Sequence, residues 1–208
     1  MYSNGKKKKE MKKDIILSGV GGQGILTITS VIGLAAMNSG LRLKQSEVHG
    51  MSQRGGDVQS HLRISDGTIF SDLIPMGECD IIISVEPMEA LRYIPWLSKN
   101  GWVITNAVPF ENIPDYPPIS DIISELEKIE NHIIIDAGEV ASRINSPLSG
   151  NIVVLGAASP YLEVVSSSSL EDAIRLFFST KGEDIVEKNI LAFNEGKRIS
   201  EAIIKSKK

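Results

Sequence analysis

Two glycine-rich stretches hold the groups most able to do chemistry. The first is Gly19-Val20-Gly21-Gly22-Gln23-Gly24, a G-x-G-x-x-G pattern. Glycine permits a tight turn and close approach of backbone to a ligand. A helix opening behind it offers unpaired N–H groups and a positive dipole end to an anion. The pattern gains meaning from a strand before it and a helix after it. Asp14 to Ser18 (DIILS) reads as that strand, and Gln23 to about Ser39, with Leu26, Val31, Leu34 and Ala35, suits that helix, with Gly40 as its stop. Glu47 lies near the end of the next strand, where an acidic side chain can accept a ribose hydroxyl. An NAD(P)-type dinucleotide site fits these residues, and so do glycines that only permit close strand–helix packing.

The second stretch runs from Ser46 to Gly56 (SEVHGMSQRGG) and sets His49, Gln53 and Arg54 among glycines that include Gly55 and Gly56. It lies just beyond a strand end, and in open α/β sheets ligand crevices lie at the carboxyl ends of strands. The planar fork of Arg54 suits a carboxylate or phosphate. Gln53 can orient a neighbour by hydrogen bonding, and His49 can move a proton near neutral pH. The structural alternative is an ordered loop, with Arg54 in an internal ion pair and His49 capping backbone groups.

The elements around these stretches alternate between strand and helix. Leu41 to Val48 reads as a second strand. Val58 to Ile64 alternates with period two, and Asp66-Gly67 turns it into Thr68–Phe70. Asp80–Val85 is an apolar run with Pro87 opening the next helix. Trp102–Thr105 and Ile133–Asp136 are further strands, separated by a proline-rich loop from Pro109 to Pro118. Ser168 with Glu171 forms a capping box for a helix to Phe178, and Glu183 to about Ile204 is a long closing helix. The expected fold is α/β: a doubly wound, mostly parallel, Rossmann-like sheet with a β-hairpin excursion and a long C-terminal helix.

Composition narrows the function. The chain has 208 residues, 42% hydrophobic and 23% charged, with one cysteine. That length can bury roughly 70% of its unfolded surface without a disulfide or metal staple. One thiol excludes an internal disulfide, a four-thiolate zinc site and an iron–sulfur cluster held by this chain alone. Residues 1–13 carry six lysines against one glutamate and read as a disordered basic tail before a single domain over 14–208. The remainder holds sixteen of the 22 basic and twenty-five of the 26 acidic side chains, a net charge of −9 against −4 for the whole. An acidic body argues against nucleic acid as a partner. No apolar run is long enough to cross a membrane, and no signal-peptide pattern opens the chain, so a cytoplasmic protein is expected.

Taken together, GVGGQG, EVHGMSQRGGDVQSHLRIS and DLIPMGECDIIISVEPMEALRY resemble one family over most of residues 14–200. The sequence is similar to the beta subunits of indolepyruvate:ferredoxin oxidoreductases and, more broadly, to the gamma-type module of the 2-oxoacid:ferredoxin oxidoreductases. The glycine loop is shared across the broader group, and HGMSQRGG marks the indolepyruvate branch. Asp57 and Asp72 depart from the family pattern at loop edges. The resemblance implies oxidative decarboxylation of a 2-oxoacid to an acyl-CoA and carbon dioxide, with ferredoxin reduced. It implies thiamine diphosphate with magnesium, 4Fe–4S clusters and coenzyme A in an anaerobic complex. With one cysteine and no Gly-Asp-Gly segment here, thiamine diphosphate and the clusters fall to a larger alpha-type subunit. Gly19, Gly21, Gly22, Gln23, Gly24, Glu47, Gly55 and Gly56 would be cofactor-binding, with Gly21, Gly22 and Gly24 presenting N–H groups to a phosphate, and His49, Gln53 and Arg54 would position substrate or CoA. The competing readings are an independent NAD(P)-binding oxidoreductase and a non-catalytic interaction subunit.

Other residues have plainer expectations. Cys79 reads as a small core residue. Glu89 and Arg92 form a surface i,i+3 pair, and Glu86 stands at a strand end facing either its helix or the crevice. His61 in a strand and His132 in a loop lack the companions a metal needs. Trp96 and Trp102 cover either the core or a partner.

Overall fold

The computed structural model describes residues 11–49, 56–111 and 113–206, with only the backbone of His49. Strand β1 (Lys12–Val20) is buried along eight of its nine residues, as befits a near-continuous apolar run inside a sheet. It is joined by β2 (Arg42–His49), β3 (Asp57–Ser65), β4 (Cys79–Ser84), β5 (Leu97–Asn106) and β6 (His132–Ile135). The order across the sheet is β2-β3-β1-β4-β5-β6. Strands β1, β4, β5 and β6 run parallel, while β3 is antiparallel to both its neighbours. The hairpin excursion is therefore β2–β3, and it returns a strand between β1 and β2. Thr68–Phe70 forms no strand, contrary to the sequence reading.

One face of the sheet is covered by α1 (Ile25–Asn38), α4 (Ala137–Arg143), α5 (Gly150–Leu162), α6 (Ser167–Phe178) and α7 (Glu183–Ser206), which share a core with Ile15, Leu17, Ile81 and Ile83. The other face carries α2 (Pro87–Arg92) and α3 (Ile119–Glu127) over Ile16, Ile82 and Val103. Nine of the thirteen residues of α5 are buried, consistent with a helix that is apolar all round. It crosses α7 at backbone contact: a Cβ on Gly156 would strike the Phe193 carbonyl, and one on Gly196 the Val153 carbonyl.

Several sequence expectations shift. The expected tail over 1–13 loses Lys12 and Lys13 to β1, where they pair with Ser65 and Ile64; residues 1–10 lie outside the described residues. Gly19 and Val20 belong to β1, so the turn is shorter and α1 opens at Ile25. The cap of α6 is Ser166, whose hydroxyl accepts the Ser169 N–H at 3.0 Å, and the Ser168–Glu171 capping box is not formed. His132 opens β6 rather than lying in a loop. Helices α3, α4 and α5 add to the elements expected from the sequence.

Candidate functional site

The first glycine stretch lies at the carboxyl end of β1, and Gly56, the last residue of the second, touches it. The Gly21 N–H donates to the Gly56 carbonyl at 2.9 Å, and Val20 pairs with Asp57. Gln23 closes the turn from both ends: its N–H donates to the Val20 carbonyl at 3.1 Å, and its Oε1 accepts the Val20 N–H at 2.8 Å. Gly21 and Gln23 therefore spend these groups on the shape of the loop. Gly19 is required for space, since a Cβ there would lie 2.8 Å from Ile25 Cδ1 and 3.1 Å from Gln23 Oε1. Gly24 caps α1 at φ 80°, in the left-handed region where glycine is favoured.

The Gly24 carbonyl accepts a hydrogen bond from Asn151 Nδ2 at 3.1 Å, which ties the start of α1 to the start of α5. Between the two helix starts opens a cavity of 510 Å3, bordered by Gly22, Gly24, Thr27, Asn145, Lys181 and Lys188. Neither helix carries an acidic residue in its first turn. Two N-terminal dipole ends and Lys181 suit an anion here, while Lys188 is already paired with Asp184 at 2.6 Å.

The second stretch is only partly in view. The His49 backbone pairs with Val58. The His49 side chain, Gln53, Arg54 and Gly55 lie outside the described residues. Glu47 lies on β2 opposite Ser60, with Oε2 accepting from Gln45 Nε2 at 3.1 Å. Because β3 intervenes, Glu47 is two strand spacings from β1, roughly 10 Å. A dinucleotide fold puts the acidic strand beside the glycine strand, so this sheet order does not supply the NAD(P) ribose contact.

The structure adds two acids at the same end. Glu86 is fully buried after β4, where its Oε2 caps α2 by accepting the Glu89 N–H at 2.7 Å. Its Oε1 accepts the Phe110 N–H at 3.3 Å and the Tyr116 hydroxyl, so it faces its own helix and the proline-rich loop at once. Burial, followed by the Glu86 carboxylate, pushes the Tyr116 phenol up. Glu89 is 2% exposed, which corrects the surface-pair expectation, and Arg92 donates to both its oxygens, at 2.8 and 3.1 Å. Burial raises the Glu89 carboxyl above its ordinary value despite that partner. The signal for this cap was present as an acid before Pro87 with a second acid three residues on.

Cys79 is buried in the core and its thiol is pushed up to about 12, chiefly by burial, so it supplies no thiolate near neutral pH. Among the described residues no group of three or more His, Cys, Asp or Glu is placed to hold a metal ion. Among them also, no helix is long and apolar enough to cross a membrane. Trp102 stacks on Tyr161 at 4.0 Å against the core, whereas Trp96 lines an open groove.

Residues 14–199 match the family described as pyruvate ferredoxin/flavodoxin oxidoreductase. The chain belongs to this family, and its fold is that of a gamma-type module of the 2-oxoacid:ferredoxin oxidoreductases. It is 40% identical over 194 residues to indolepyruvate oxidoreductase subunit IorB of Archaeoglobus fulgidus, covering 89% of this chain and 94% of that one. A gamma subunit of a keto/oxoacid ferredoxin oxidoreductase from Geobacter sulfurreducens matches with a TM-score of 0.67 at 25% identity, over 91% of this chain and 99% of that one. The 2-oxoglutarate:ferredoxin oxidoreductase of Magnetococcus marinus, solved with 2-oxoglutarate, coenzyme A and succinyl-CoA, matches in fold with a TM-score of 0.73 at 22% identity. There the match covers 92% of this chain but 31% of a longer one.

Proposed function

We propose that this chain is the small subunit of a cytoplasmic arylpyruvate:ferredoxin oxidoreductase acting on indolepyruvate. The similarity to the IorB subunit over nearly the whole of both chains carries the reading. The larger subunit with which it assembles holds thiamine diphosphate and the iron–sulfur clusters. The residues of this chain do not fit those groups: its single cysteine is buried with a raised pKa.

Coenzyme A fits better. The backbone of Gly22 and Gly24, the facing start of α5, and Lys181 would hold its phosphates. When bound, coenzyme A supplies the thiol that takes the acyl group. This chain's own part is to bind and orient. The Gly21–Gly56 hydrogen bond fixes the second stretch against the glycine loop, and from there Arg54 holds the substrate carboxylate or a CoA phosphate. His49 and Gln53 position the neighbouring groups.

Reconstitution with the larger subunit tests the assignment. Arg54→Ala raises the KM for indolepyruvate or CoA about tenfold or more, the scale of a lost charge-assisted hydrogen bond. Wild-type kinetics in that variant contradict the role of Arg54.

A further inference from the structure

The carboxyl ends of β1 and β4 meet where the fold changes side. Ser18 pairs with Ser84, and the Val85 N–H donates to the Ser18 carbonyl at 3.1 Å, so the two chains stay together to the end of both strands. Beyond that point α1 leaves β1 on one face of the sheet and α2 leaves β4 on the other. Such a switch of side opens a crevice, and ligands of open α/β sheets bind there. One wall of it is the glycine turn. The other begins at Glu86, next to Val85, which packs so closely on Gly19 that a Cβ there would lie 2.5 Å from Val85 Cγ2.

Glu86 does more at this wall than cap α2. Its fully buried carboxylate takes hydrogen bonds from the Glu89 N–H, the Phe110 N–H and the Tyr116 hydroxyl, and no cation pairs with it among the described residues. Burying an acid is costly unless its oxygens are satisfied, so the carboxylate and its three donors hold one another in place. Two of those donors come from the proline-rich loop, six residues apart. At its β5 end the loop is tied twice more: the Ala107 N–H donates to the Ile135 carbonyl at 2.8 Å, and Asn106 Nδ2 to the Val108 carbonyl at 3.0 Å. Pro109, Pro114, Pro117 and Pro118 stiffen the chain around these ties.

The loop so held presents Val108, Phe110 and Ile113, each a little under half exposed, at the strand ends. Glu86 itself is buried and spent on its donors, so it acts on a ligand only through this loop. Coenzyme A held by its phosphates at the glycine turn carries onward a flexible arm of methyl, amide and thiol groups. Apolar side chains beside open backbone suit such an arm.

We infer that Glu86 is a positioning residue: through Phe110 and Tyr116 it latches the proline-rich loop as the second wall of the crevice, and the arm of coenzyme A lies against that wall. The inference rests on the proposed function, and its test separates the two. The full chain is assembled anaerobically with the larger subunit. Tyr116→Phe removes one donor and leaves the cap of α2 intact, so the variant folds and its melting temperature falls by no more than roughly 4 °C. Exchange of the Phe110 amide quickens about tenfold. The Kd and KM for CoA rise about tenfold, the scale of a lost hydrogen bond to a charged group, while kcat with indolepyruvate changes less than twofold. Glu86→Gln, which keeps one accepting oxygen, moves the same quantities in the same direction. In the wild-type complex, saturating CoA slows exchange over residues 108–111. If wild type neither binds CoA nor turns over, the proposed function falls and takes this inference with it. If Tyr116→Phe leaves the Phe110 amide unchanged, or loosens it with the Kd and KM for CoA at wild-type values, the positioning role alone is overturned. The same holds if CoA fails to slow exchange over 108–111 in a wild-type complex that binds it.

Discussion

The two faces of the sheet are built by different means. On the face of α1 and α5, apolar side chains interlock and α5 meets α7 through Gly156 and Gly196. On the face of α2 and α3, buried polar pairs do much of the fastening. Asp14 binds Arg63 through both oxygens at 2.8 and 3.0 Å, Glu86 holds α2 and the 107–118 segment, and Ser18 meets Ser84 at 3.0 Å. Close packing specifies a surface that needs nothing more, whereas polar fastening positions a thin layer.

This contrast can be broken by substitution. Asp14→Ala should cost about 3–4 kcal/mol, because it leaves Arg63 largely buried without its carboxylate. A denaturant titration reads the loss, and a change under about 1 kcal/mol would show that the pair fastens nothing. Gly156→Ala should cost about 2–3 kcal/mol by forcing α5 from α7. Its melting temperature should fall by roughly 4–12 °C for a chain of this size. An unchanged melt would mean that the crossing is slack.

A smaller effect concerns Ser60, buried on the tightly packed face with no partner for its hydroxyl among the described residues. Ser60→Ala should leave stability unchanged or raise it by about 1 kcal/mol. A loss of that size would reveal a hidden acceptor. The thinner face has a pH signature instead. His61 is held below its ordinary value of 6.5, so the native state binds fewer protons than the unfolded chain below that pH. Stability therefore holds above about pH 6.5 and declines as pH falls beneath it. His61→Gln should lose part of that acid limb, measured as denaturation midpoints against pH. Smallest of all is a reactivity that should be absent: with its thiol near 12, Cys79 should resist a thiol reagent at pH 8 until the chain unfolds.

These differences also explain what could be read in advance. DIILS and DIIISV announce central strands because β-branched apolar runs fit a sheet buried on both sides. The run IVVLGAAS of α5 shows no period of 3.6 for the opposite reason: it is apolar on every side, so burial erased the signal. Helices α3 and α4 are short and are capped at Pro118 and Asp136, positions that a proline-rich loop and a strand end disguised. At the site, residue types were legible but adjacency was not. Nothing local says that Gly21 bonds Gly56, or that β3 inserts between β1 and Glu47. Glu89 looked like a surface partner of Arg92 because spacing reports a helix neighbour and not the sheet beneath it.

The central claim is that this chain works as one part of a larger redox enzyme. The most direct measurement is anaerobic affinity capture from native cells, followed by iron, sulfide and thiamine diphosphate analysis and a 2-oxoacid assay on the recovered material. The expected result is a larger companion subunit that carries all three and reduces ferredoxin with indolepyruvate only when CoA is present. Recovery of this chain alone, free of iron and thiamine diphosphate, would contradict the claim.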